Sequence, residues 1–354
     1  MKPSPKILII RLSALGDILH ALPAFQSLRS TFPGARIDWL TAKKSSFLFE
    51  AIPGIDALHV LDTDSLLRFP FDRSAWRRFR ELIRELRAQR YDFALDFQGL
   101  LKTAFLGSIS GSRTRLGFSK ELVRERPAHW FYSRTLEKPS KQVHVLVLNQ
   151  MLAGLTGARA VSAPINFSIS PKDNDYTDSL ISRERIANFV VINPGGGWPT
   201  KRWSPQKYGA LARKIQLELG ITVVVTTGPG EESLFQTIAE SCGEPLPRHF
   251  PVSFLQLIPL LKRALLFVGG DTGPFHLACA VGTAVVGIFG PTSVVRNGPW
   301  GEADEAVARA LPCSSCYWRT CPTRNECMDI QVDEVFAGVI RRMRIREDSS
   351  CARS

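Results

Sequence analysis

Short apolar runs alternate with stretches of helical period along the first half of the chain. Strands are predicted at residues 6–11, 36–40, 57–61 and 93–96, and helices at 18–31, 74–89 and 100–108. This alternation implies an α/β fold with a parallel sheet covered by helices on both faces. Over 148–170 the pattern gives way to a connector containing Gly, Ala, Ser and Pro, and 170–178 is polar, so a boundary is placed there. The rhythm then restarts with a strand at 189–193. Ser204 is a helix N-cap with Pro205 in the first helical position, the helix runs to Leu219, and Gly220 suits its left-handed end. A β-branched strand follows at 221–226, and Ser253-Phe254-Leu255-Gln256 has the form of a capping box. The resulting division is 1–170, 171–330 and a final segment 331–354, with a helix at 333–344 and a disordered tail at 348–354.

One segment carries chemistry more openly than the rest. An apolar strand at 264–268 runs into Gly269-Gly270-Asp271-Thr272-Gly273-Pro274-Phe275-His276, and a second strand at 284–289 ends in Gly290-Pro291-Thr292. Glycines let the backbone approach a ligand, and proline suits the first turn of a helix. Free N–H groups there, with the helix dipole behind them, favour a phosphate or diphosphate. An ordinary tight αβ connection would read the same way from spacing alone.

The length of 354 residues is enough for two domains with separate cores. Hydrophobic content of 44% and charged content of 22% are those of a soluble globular protein, and there is no uninterrupted apolar stretch of about 20 residues to span a bilayer. The N-terminus enters a strand without a hydrophobic signal core, so a cytoplasmic protein is expected. The net charge of +12 points to nucleic acid, an anionic membrane surface or an acidic substrate. Basic residues gather at Arg68, Arg73, Arg77, Arg78, Arg80, Arg84, Arg87 and Arg90, and again between Arg113 and Arg134. Neither group belongs to a recognisable nucleic-acid module, which favours anionic lipid. The first could equally be a solvated helix face paired with Glu81 and Glu85. Cys313, Cys316, Cys321 and Cys327 open with a spacing compatible with structural zinc, but no second C-x2-C follows, and a metal-free cluster is preferred. Cys242 and Cys279 read as small core residues.

The Gly-rich run, with Gly287-Ile288-Phe289-Gly290-Pro291-Thr292, resembles the lipopolysaccharide heptosyltransferases of glycosyltransferase family 9. Ile9-Ile10-Arg11-Leu12-Ser13-Ala14-Leu15-Gly16-Asp17 resembles that family's opening motif in the form typical of heptosyltransferase I. Asp96-Phe97-Gln98-Gly99-Leu100-Leu101-Lys102, Arg124-Glu125, Phe131-Tyr132-Ser133-Arg134 and Asn193-Pro194-Gly195 up to Lys201 match in order, so the resemblance spans nearly the whole chain. It implies a GT-B architecture of two doubly wound Rossmann-like domains, acceptor-binding then nucleotide-sugar-binding, with ligands in the cleft at the strand ends. The last helix is expected to pack back toward the first domain.

Sugar transfer from a nucleotide diphosphate needs a base, a grip on the diphosphate and compensation of the departing charge. The resemblance makes Asp17 the base, although by spacing it could equally cap the helix expected at Ile18. It makes Lys201 the diphosphate ligand, with Thr200, Asp271, Thr272, Gly273 and His276 completing the donor pocket. Glu231, preferred to Glu232, is placed on the ribose, and both could instead be first-turn helix acids. Ser13 and Gln98 are expected on the acceptor side, with Arg77 and Arg78 facing the acidic acceptor and Arg124 resembling a family position that meets it. No DxD-type motif stands beside these residues, so a metal-independent reaction without a cofactor is expected. The implied reaction is inverting transfer of L-glycero-D-manno-heptose from ADP-heptose to a Kdo residue of Kdo-lipid A, at the cytoplasmic face of the inner membrane. The alternatives are heptosyltransferase II or another family 9 enzyme with a different acceptor, and a basic nucleic-acid-binding protein.

Overall fold

Ile7, Leu8, Ile9 and Ile10 are all fully buried, as a strand covered by helices on both faces requires. They form the centre of the first of two sheets in a computed structural model that describes residues 4–66, 72–162 and 164–351. The chain divides into two compact units, Met1–Ser168 and Ile169–Ser354.

The first unit contains, in order, β1 (Lys6–Ile10), α1 (Leu15–Leu19), α2 (Leu22–Thr31), β2 (Arg36–Ala42), β3 (Ala57–Leu61), α3 (Thr63–Leu66), α4 (Arg73–Gln89), β4 (Phe93–Asp96), α5 (Leu101–Ile109), β5 (Thr114–Phe118), β6 (Arg134–Leu136) and α6 (Val145–Gly154). The second contains α7 (Pro171–Arg183), β7 (Phe189–Asn193), α8 (Pro205–Leu219), β8 (Thr222–Val225), α9 (Glu232–Cys242), β9 (Arg248–His249), α10 (Leu257–Arg263), β10 (Leu266–Gly270), α11 (Gly273–Val281), β11 (Val285–Phe289), α12 (Val294–Asn297), β12 (Glu305–Ala308) and α13 (Val332–Cys351).

The strand orders are β3-β2-β1-β4-β5-β6 and β12-β11-β10-β7-β8-β9, with every pairing parallel. Numbered from the first strand of each unit, both sheets follow the doubly wound order 3-2-1-4-5-6. The order reverses between β1 and β4 in one sheet and between β7 and β10 in the other, and ligands of such sheets bind beyond the strand ends at that point.

Several expectations change. The helix expected at 18–31 is two helices: α1 starts earlier, at Leu15, and α2 starts at Leu22 with Pro23 in its first turn. Asp17 is therefore the third residue of α1, and the N-cap is Ala14. The connector is helical over Val145–Gly154, where apolar Val145 and Leu152 are buried against the unit. Ser253 and Gln256 exchange the two reciprocal bonds of a capping box, but they close a turn ahead of the helix, which begins at Leu257. Apart from these changes, the final helix packs on α8, β11 and β12 of the second unit, and Val335 and Val339 lie in the core of that unit. The same helix continues to Cys351. Arg68 lies outside the described residues.

Candidate active site

Beyond the end of β1, the Arg11 guanidinium donates to the Phe97 carbonyl and pairs through Nη2 with Asp17 Oδ2 at 2.7 Å. Oδ2 also accepts from the Ala14 N–H at 3.3 Å, so Asp17 braces the first turn of α1 while a quarter of its side chain remains exposed. Arg124 Nη1 stands 3.9 Å from the same oxygen, and its side chain is 54% exposed. Asp17 is thus held between one buried and one open guanidinium. Ser13 is half-buried at the turn before α1.

The motifs around β4 are wired to this cluster. Gln98 is buried and its Oε1 accepts from the Leu12 N–H at 2.9 Å, so it braces the loop that carries Asp17. Asp96 Oδ1 accepts from the N–H groups of Gln98 and Gly99, and Oδ2 accepts the Tyr132 hydroxyl at 2.7 Å. Burial pushes the Asp96 carboxyl up against the opposing effect of these bonds, and burial beside Asp96 pushes the Tyr132 hydroxyl up. Gly99 has φ +68°, a conformation glycine adopts freely, and its carbonyl accepts from the N–H groups of Arg124 and Glu125. Segments separated in sequence therefore meet at one sheet edge. Arg77 and Arg78 have more local partners on exposed α4: Arg77 Nε lies 3.8 Å from Glu81, and Arg78 reaches Asp72 and Ser74.

At the corresponding edge of the second unit, Lys201 Nζ donates to Asp271 Oδ2 at 2.9 Å and to the Asp271 carbonyl at 3.1 Å. His276 Nε2 lies 2.8 Å from Oδ1, and Asn297 donates to Oδ2 at 3.4 Å. Burial alone would raise the Asp271 carboxyl; the His276 bond and charge and the Lys201 ammonium outweigh it and hold the carboxyl far below the usual range. Both Asp271 carboxylate oxygens are thus engaged, and the residue positions the Lys201 ammonium. Thr272 caps α11 with its hydroxyl, and Gly273 and Pro274 form the first turn. Lys201 also lies over the Trp198 ring, 4.4 Å from its centroid, with Arg319 at 5.2 Å from the same ring.

Thr200 is buried and donates its hydroxyl to the Trp318 carbonyl at 2.8 Å, while Asn325 donates to the Thr200 carbonyl at 3.2 Å. The residue expected to touch the donor is also clasped by the cysteine-containing segment. Glu231 Oε2 accepts from the Gly228 N–H at 2.9 Å, and Oε1 faces Arg202 at 3.8 Å. A β-carbon on Gly195 would strike this carboxylate, which places Glu231 against the loop after β7, whereas Glu232 is exposed. Cys313, Cys316, Cys321 and Cys327 line a cavity of about 260 Å³ together with Thr200, Trp318 and Asn325. They are free thiols, and among the described residues no group of three or more His, Cys, Asp or Glu is placed to hold a metal ion. Sequence reasoning gave no role to Arg11, Tyr132, Asn297, Trp318 or Asn325. Arg11 and Tyr132 stood within the family-like motifs and Trp318 and Asn325 within the cysteine segment, whereas Asn297 had no comparable signal.

Two doubly wound sheets in succession, each with charged residues gathered beyond the strand ends at its switch point, define the GT-B class of glycosyltransferases. The family model Glycosyltransferase family 9 (heptosyltransferase) matches residues 79–326, and the chain belongs to that family. It is 27% identical to lipopolysaccharide heptosyltransferase 1 of Pseudomonas aeruginosa, covering 91% of this chain and 89% of that protein. It is also 27% identical to lipopolysaccharide heptosyltransferase 3 of Escherichia coli, covering 81% and 84%. The structure of Escherichia coli heptosyltransferase WaaC with ADP-2-deoxy-2-fluoro heptose superposes with a TM-score of 0.73 at 21% identity, over 95% of this chain and 99% of that one.

Proposed function

We propose that the chain transfers L-glycero-D-manno-heptose from ADP-heptose to a Kdo residue of the lipopolysaccharide inner core, with inversion at the anomeric carbon. The observation that carries this reading is the Lys201 ammonium, fixed by Asp271 beside the N-terminus of α11. That pairing of a cation with the positive end of a helix suits a diphosphate leaving group whose charge grows toward the transition state. The relatives named for lipopolysaccharide heptosyltransfer and the WaaC complex with an ADP-heptose analogue support the donor and substrate class.

Asp17 is the proposed general base. Removing a proton from the Kdo hydroxyl would let its oxygen attack the anomeric carbon as the bond to ADP breaks, and ADP leaves with the bonding electrons. Arg11 orients the carboxylate, and Arg124, with Ser13, Arg77 and Arg78, is proposed to meet the acidic acceptor. Lys201, Thr272, Gly273 and Glu231 are proposed to bind the donor, with Thr200, Asp271 and His276 supporting them. Lys201 and the helix N-terminus would supply the positive charge that a divalent ion supplies elsewhere, so transfer is proposed to proceed in chelator without a metal cofactor.

The acceptor is proposed to be Kdo-lipid A. An already heptosylated core is the second reading, favoured by the equal 27% identity to a heptosyltransferase 3. Incubation with ADP-heptose and each acceptor, with products followed by mass, separates them: a single heptose added to Kdo-lipid A supports the first, and addition only to the heptosylated core supports the second. The chain is proposed to work at the cytoplasmic face of the inner membrane as a peripheral protein. Among the described residues no helix is long and apolar enough to cross a membrane.

A further inference from the structure

Trp130 is 75% exposed, the most open of the large apolar side chains among the described residues. It sits in the 3-10 turn Arg126–Phe131, which packs on α5. That helix turns Thr103, Ala104, Leu106 and Gly107 inward and leaves Leu101 and Phe105, one turn apart, 42% and 45% exposed. Phe105 meets Phe131 edge-on with ring centroids 6.3 Å apart, which joins the two elements into one apolar face. Lys102, Arg124 and Arg126 are exposed around it. The acids present are Glu121 and Glu125, and Glu125 is engaged with the Leu101 N–H at 2.7 Å. An aromatic and aliphatic face with a basic rim has the composition of a membrane–water interface.

We propose that this face of α5 and the Arg126–Phe131 turn docks on an anionic lipid bilayer, with Trp130, Phe105 and Leu101 entering the headgroup boundary. The proposal rests on the reading of a lipid-borne acceptor and names the surface that would meet it. The face adjoins Asp17: Arg124 spans from 3.9 Å of that carboxylate to the Gly99 carbonyl just ahead of α5. An acceptor sugar projecting from a docked bilayer would therefore arrive beside the proposed base. The basic rim and the overall charge of +12 select an anionic surface and disfavour a second copy carrying the same rim.

The test uses the full chain with vesicles of phosphatidylglycerol and phosphatidylethanolamine, or of phosphatidylcholine alone, all free of lipopolysaccharide. The parent should cosediment with the anionic vesicles and less so at high salt. The double variant Trp130→Ser/Phe105→Ser should bind them about tenfold more weakly or worse. Transfer to a water-soluble Kdo acceptor should stay within about twofold, because both side chains are on the surface. Equal binding by parent and variant, no preference for anionic lipid, or a dimer that the variant breaks without any vesicle binding would overturn the docking surface. Because vesicle binding is read without any acceptor, failure of both proteins to transfer heptose to the soluble acceptor would count against the proposed reaction and leave the docking result standing.

Discussion

Asp271 grips Lys201 twice, through its carboxylate at 2.9 Å and its own backbone carbonyl at 3.1 Å. The two bonds aim one ammonium beside the first turn of α11 and leave little freedom to a side chain that would otherwise wander. Lys201→Ala is therefore expected to weaken ADP binding and to slow transfer as well, since leaving-group charge is greater in the transition state than in the bound donor. A charge-assisted bond worth about 1.5–3 kcal/mol corresponds to a loss of roughly 10- to 150-fold. Calorimetric titration with ADP and steady-state kinetics check it; unchanged affinity and rate would make the lysine a structural partner of Asp271 alone.

Asp271 also sets a pH dependence. Its carboxyl is held below the ordinary value of about 3.9, so the folded state binds the proton less readily than the unfolded chain does. The stability it contributes is complete above that unfolded value and is lost as pH falls below it toward the folded one. Asp271→Asn should lower the melting temperature at pH 7 and then show a flatter decline than the parent between pH 5 and pH 3. Thermal unfolding across that range decides; parallel curves would mean that the carboxylate is not preferentially ionised in the fold.

The Thr200 loop is held by groups more than a hundred residues away, Trp318 and Asn325. Thr200→Val removes a hydrogen bond worth about 0.5–1.5 kcal/mol, so donor KM should rise about 2- to 12-fold with kcat less affected. Thr200→Ser should restore it. Asn325→Ala should act in the same way, and the double variant should fall short of the sum because both bonds position one loop. Strict additivity would show that the two contacts act independently.

These long connections mark where the sequence stops being legible. Ala57–Leu61, Phe93–Asp96, Phe189–Asn193 and the helix Pro205–Leu219 have the expected bounds because short runs rich in apolar residues, Ser204 and Gly220 signal them locally. Thr114–Phe118 and Arg134–Leu136 escape notice because they are short, polar at their starts and defined chiefly by pairing with neighbours. The same holds at the site. The Gly-rich turn is readable from residue type and Lys201 from the family resemblance, but the Lys201–Asp271 pair, the Arg11–Asp17 pair and the clasp on Thr200 exist only once distant segments meet. Thr200 and Asp271, expected as donor contacts, also hold the loop and its lysine.

Gln98 carries a similar lesson. Gln98→Leu would strand the Leu12 N–H in a buried site, at a cost of about 1–3 kcal/mol. For a domain of this size that is about 2–4 °C of melting temperature per kcal/mol. Turnover should fall as the loop bearing Asp17 loosens, while ADP affinity should hold because the proposed donor residues belong to the second unit. A stable variant with normal kcat would remove Gln98 from the positioning of Asp17.

The central claim is that Asp17 abstracts the acceptor proton, beyond bracing the first turn of α1. The direct measurement is single-turnover transfer by Asp17→Asn, alongside ADP titration and thermal unfolding. Asparagine preserves the size and much of the bonding to Ala14 and Arg11 while removing the basic oxygen. The variant should keep its ADP affinity and its fold and transfer heptose more slowly by roughly 10²–10⁴-fold. A rate within a few-fold of the parent, with folding intact, would contradict the claim and leave Asp17 as a structural residue of the first turn.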